Sequence, residues 1–95
     1  MNRNYGTTEK GAAFPPIQIN AVWNKGLVLT GYDPAVFRQD CTGAPIKKSD
    51  YGNINSAYGW EIDHIIPVSK GGGDVIRNLQ PLQWRNNRSK GDRSV

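Results

Sequence analysis

The sequence predicts a small α+β domain in which short helices precede a strand, a long loop, a second strand and a closing helix. Three stretches carry that expectation. "WEIDHII" at 60–66 is rich in isoleucine and aromatic residues and reads as a strand. Pro67 to Arg77, eleven residues around Gly71, Gly72 and Gly73, form a loop longer than compact domains usually keep without a use for it. "QWRNNRSKG" at 83–91 reads as a short helix stopped by Gly91.

The elements follow in order. Residues 1–14 are polar, glycine-dotted and aperiodic, and read as a flexible arm ahead of one domain over 15–95. "PPIQINAVWNKG" opens on prolines suited to a helix start and ends on Gly26, which predicts a helix at about 16–25 with Ile19, Val22 and Trp23 facing the core. "GYDPAVFRQD" repeats the signals, with Asp33 able to cap, Pro34 in a first turn, and Val36 and Phe37 able to dock. "CTGAPIKK" and "DYGNINSAYG" read as turns with one irregular hairpin. "NLQPL" is a second strand, and Pro81 demands an edge position. Trp60 and Trp84 read as core, and the Gly71–Gly73 run as simple loop flexibility.

Composition narrows the class. A single cysteine, Cys41, excludes an internal disulfide and a four-thiolate zinc site. The first thirty residues lack a basic end followed by an apolar run, and no apolar stretch approaches a membrane span, so a soluble cytoplasmic protein with no membrane partner is expected. The net charge of +4 is unevenly placed. Residues 1–63 carry six basic and six acidic side chains, whereas 64–95 carry six basic ones against Asp74 and Asp92. That clustering suggests a polyanionic partner, nucleic acid first; a basic tail that only solubilises the domain is the alternative.

The only histidine, His64, follows Asp63 at the end of the first strand. Neighbours on a strand point to opposite sides, so the two groups can flank a substrate from different directions. Phosphodiester hydrolysis calls for such a pair. A neutral imidazole can activate water at cellular pH, and a carboxylate can hold a divalent cation.

"IDHIIPVSKGG…NLQPL…NNRSKGD" resembles the motif of HNH endonucleases, and the likeness spans about residues 60–92. It implies a ββα-metal core at about 58–92 carrying short N-terminal helices, and metal-dependent cleavage of DNA, double-stranded first; a monomer or a homodimer is expected. By the same resemblance His64 is the general base and Asp63 a metal ligand. Asn78 pins the long loop, and Asn87 is the second ligand. Arg77, Arg85, Arg88 and Lys90 beside such a site are expected to bind nucleic acid. A carboxylate with an amide oxygen favours Mg²⁺ or Mn²⁺, with other divalent ions as alternatives.

Two departures accompany the likeness. Many members hold a structural zinc by two cysteine pairs, and here those positions are Arg38 with Cys41 and Gln83 with Asn86. No structural zinc is expected; Trp84 and the N-terminal helices would supply the missing core, with Cys41 buried or half-buried. The last ligand position is Asn87, where others have histidine. Rival readings are a non-catalytic basic module that binds nucleic acid, and an RNase or toxin nuclease on the same fold.

Overall fold

A computed structural model of the chain describes residues 3–94. Helix α1 spans Pro16–Trp23, strand β1 Leu27–Val28, β2 Phe37–Gln39, β3 Pro45–Lys47, β4 Trp60–His64, β5 Leu79–Gln83 and helix α2 Trp84–Lys90. The first three strands form an antiparallel sheet in the order β1-β2-β3, and β4 pairs antiparallel with β5. The architecture is α+β, and β4, the long loop, β5 and α2 form a ββα unit. No described helix is long and apolar enough to cross a membrane.

Helix α1 starts on Pro15 and Pro16, where a missing N–H costs nothing. It ends two residues before the expected boundary, because Lys25 and Gly26 donate to Val22 and Trp23 in a tightened last turn. Gly26 is there for closeness: a side chain would sit 3.1 Å from Arg38. The second N-terminal helix is not formed. Asp33 Oδ1 accepts from Ala35 N in a local turn, and the chain then extends into β2 to pair Phe37 with Lys47. A hairpin does form, β2–β3, but only its turn at Gly43, with φ +91°, and β3 lie in the stretch expected to hold it; β2 comes from the preceding segment.

Phe14, Val22, Trp23, Ile46, Trp60, Ile62 and Leu79 make the core, with Ile19 and Tyr51 packed against it. The Trp23 and Trp60 rings meet at 5.2 Å, and their N–H groups donate to Pro34 O and Lys48 O. Such a ring buries roughly 200 Å², worth about 5 kcal/mol at 25 cal/mol/Å² as an upper figure. The pair therefore fastens α1 to β4 and holds the strand that carries Asp63 and His64. Lys25 adds a polar tie by donating to Ile76 O and Leu79 O at the entry to β5. The two-stranded sheet leaves β5 at an edge, where Pro81 is tolerated opposite Ile62.

Trp84 is only half-buried and stays outside the core; Phe14, Val22 and Trp23 from α1, and Ile46 from β3 pack against the ββα unit instead. Cys41 is exposed, correcting the expectation of a buried thiol. The segments that the cysteine pairs would join are joined by Asp40, which is 1% exposed. Its Oδ1 accepts from Thr42 N, Thr42 Oγ1 and Ala44 N; its Oδ2 accepts from Gln83 N at 2.9 Å and Asn86 Nδ2 at 3.1 Å. Gln83 Oε1 caps α2 through Arg85 N and Asn86 N.

Burial alone would raise the Asp40 pKa, but bonds from Thr42, Gln83, Asn86 and Ala44 outweigh it and hold the carboxyl below its usual range. Because the folded pKa lies below the unfolded one, this stabilisation is complete above about pH 4 and disappears as pH falls through the folded value. Asp40→Ala is expected to cost about 3 kcal/mol, since buried donors lose their acceptor. Denaturant unfolding at about pH 7 and about pH 3 checks this, with the parent losing more stability between them than Asp40→Asn. A parent and an Asp40→Ala variant with the same midpoint would remove the role.

Candidate active site

Asp63 and His64 are the last residues of β4, opposite Gln80 and Leu79 of β5. Every residue of β4 is buried, so both faces of the strand are covered. Asp63 points towards α2. His64 lies under Phe14, with ring centroids 6.0 Å apart. At the strand's end the two still border one cavity of about 620 Å³, and Asn87 from α2 borders it too.

His64 Nε2 lies 2.7 Å from Asp74 Oδ1. An ionised carboxylate only accepts, so the ring proton is assigned to Nε2 and the lone pair to Nδ1. No protein group among the described residues bonds Nδ1, yet no buried side-chain nitrogen or oxygen is left without a partner. Nδ1 therefore opens to solvent. Asp74 is itself held by Glu9 N, at 3.0 Å from Oδ1 and 3.3 Å from Oδ2.

Asn78 ties the long loop to the strand that precedes it. Its Oδ1 accepts from Ile66 N, and its Nδ2 donates to Ile66 O at 3.1 Å and Gly73 O at 2.9 Å. Ile65 N donates to Asn78 O, which extends the pairing past His64. The glycine run serves close packing as well as turning. Gly71 turns at φ +91°, and a Cβ on Gly72 would lie 1.7 Å from Ile66 O. A loop pinned so tightly keeps Asp74 in register with His64.

Opposite charges from β4 and α2 meet on the other side. Lys90 Nζ lies 3.1 Å from Asp63 Oδ1 and donates to His64 O, with both side chains almost fully buried. Gln80 Nε2 donates to Asp63 Oδ2 at 2.9 Å. Glu61 accepts from Asn87 Nδ2 and pairs with Arg88 Nη2 at 3.1 Å. Glu61 thus orients the Asn87 amide, nitrogen inward and oxygen without a protein partner among the described residues.

The family model for HNH endonuclease matches residues 43–93, more than half of the chain. The chain belongs to the HNH endonuclease family. No curated protein and no solved structure matches it significantly. HNH membership points to nuclease activity in general; nucleases of this family act on nucleic acid and generally use a divalent metal.

In this HNH domain Asp63, His64 and Asn87 share the cavity, while Asn78 stands behind it on the loop. The basic residues read as nucleic-acid contacts are dispersed. Arg77, Arg85 and Arg88 are exposed and none lines the cavity; Arg85 and Arg88 lie over the Trp84 ring at 5.0 Å and 5.5 Å. Lys90, expected as a surface charge, is 5% exposed and committed to Asp63. Sequence reasoning missed Asp74 and Glu61. One signal for Asp74 was available, since it is one of only two acids in the basic final third and sits beside the glycine run. For Glu61 it was the shared strand face with Asp63.

Proposed function

We propose that this HNH domain hydrolyses DNA phosphodiester bonds, with His64 as general base and one divalent cation held by Asp63 and Asn87. The observation behind the reading is that Asp63, His64 and Asn87 border one cavity while Asp74 leaves His64 Nδ1 as the free lone pair.

In this reading a water bonded to Nδ1 gives up its proton as it attacks phosphorus. The imidazolium that forms already points its second N–H at Asp74, which stabilises the positive charge and holds the tautomer. Asn78 contributes indirectly by fixing the loop that bears Asp74. Phe14 packs beside the ring at a 38° tilt.

The residues fit a hard divalent ion. Asp63 uses two of roughly four carboxylate lone pairs on Gln80 and Lys90, and Asn87 retains its amide oxygen. Among the described residues no three His, Cys, Asp or Glu side chains converge, so such a site would leave several positions to water and phosphate, as Mg²⁺ or Mn²⁺ prefers. Bound there, the ion would neutralise the phosphate and the departing oxygen. The family resemblance implies 3′-hydroxyl and 5′-phosphate ends on double-stranded DNA.

Incubation with supercoiled plasmid tests the proposal. Mg²⁺ or Mn²⁺ should yield nicked or linear product whose ends a ligase can rejoin, and EDTA should stop the reaction. A protein that binds plasmid yet cuts it with neither ion is a binding module, and one that cuts only RNA is an RNase.

A further inference from the structure

Arg3 is the only arginine or lysine lining the cavity among the described residues. The acids Glu9, Asp63 and Asp92 border the same space. A phosphate entering it therefore meets one protein guanidinium, and that group comes from a segment forty residues upstream of the family match.

The segment from Arg3 to Phe14 has neither helix nor strand, yet it is anchored at several points. Phe14 sits in the core, and Glu9 N donates to Asp74. Tyr5 stacks on Arg88 at 4.8 Å. Gly6, at φ +71°, passes so near β4 that a Cβ would lie 3.3 Å from Glu61 Cβ. Arg3 is half-buried, and its Nη1 donates to Thr7 O at 2.8 Å and towards Thr7 Oγ1 and Thr8 O. All of these bonds use one nitrogen. Nε and Nη2 have no partner among the described residues, so the guanidinium is held with its fork available to oxygen ligands.

We propose that Arg3, positioned by the N-terminal segment, binds a backbone phosphate of the nucleic acid in the active-site cavity. This rests on the nuclease reading above. The tail arginines then supply long-range attraction, and Arg3 supplies the contact inside the site.

The test is binding of a labelled DNA duplex to the full chain in EDTA over a series of salt concentrations. One phosphate contact contributes about 0.9 to the slope of log K against log salt. Arg3→Ala should reduce the slope by about that amount, and Arg3→Lys should restore it because a lysine keeps the point charge. In cleavage assays Arg3→Ala should raise KM by about 10-fold with kcat changed less than about 2-fold, the mark of a contact made equally in ground and transition states. A parent slope in Arg3→Ala overturns the proposal, whether or not the melting temperature falls; a fall would assign Arg3 to tethering Thr7 and Thr8. A parent protein that binds neither duplex nor single strands would instead remove the nuclease reading itself.

Discussion

His64→Ala is expected to abolish cleavage, lowering kcat by at least about 10³-fold while DNA affinity stays within about 3-fold of the parent. No other described side chain bordering the cavity combines a ring-nitrogen lone pair with a carboxylate behind it. The remaining wall acids are better suited to holding cations, and Asn87 has no basic nitrogen. Fold damage should be modest, because Asp74 keeps Glu9 N as a donor and is partly exposed. Plasmid cleavage with matched duplex-binding titrations checks the outcome. A variant that cuts within about 10-fold of the parent rate would move the base elsewhere.

Asp63→Ala is expected to have two effects of different origin. Calorimetry with Mn²⁺ should show the binding heat disappear together with activity, since the carboxylate assigned to the ion is gone and Glu9 and Asp92 do not replace it. Stability should also fall by about 3–5 kcal/mol, because the Lys90 ammonium is left buried with only His64 O nearby. The two effects can be separated by adding Lys90→Met. Removing both charges should recover most of the stability without recovering Mn²⁺ binding or cleavage. An Asp63→Ala protein that binds Mn²⁺ like the parent would sink the ligand assignment.

These predictions draw on parts of the site that differ in how readable they were. The elements between 60 and 91 follow from local signals. An isoleucine-rich run, a glycine cluster, a proline-marked strand and a glycine stop each act over a few residues, and β4, the loop, β5 and α2 appear close to where those signals lie. Asp33 and Pro34 are equally local but serve a turn as well as a helix. Pairing of Phe37 with Lys47 then decided for a strand. Lys90 was misjudged for a related reason. Three residues from Asn87 it shares an inward face of α2, but lysines are so seldom buried that only its partner, Asp63, reveals the direction.

The likeness to HNH nucleases, the Asp63–His64 pair, the spacing to Asn78 and Asn87, and the surplus of positive charge in the final third were all in the sequence by itself. Each is a property of neighbours or of spacing along one stretch. What only the tertiary structure decided is which groups touch. It set Asp74 behind His64, Glu61 behind Asn87, Asp40 between the β2–β3 turn and α2, and Arg3 on the wall of the cavity. Residues 3–14 lack any periodic signal, and their contacts to Asp74 and Arg88 span most of the chain. Such contacts depend on closing long loops around a packed core, and no local pattern encodes where the two ends will meet.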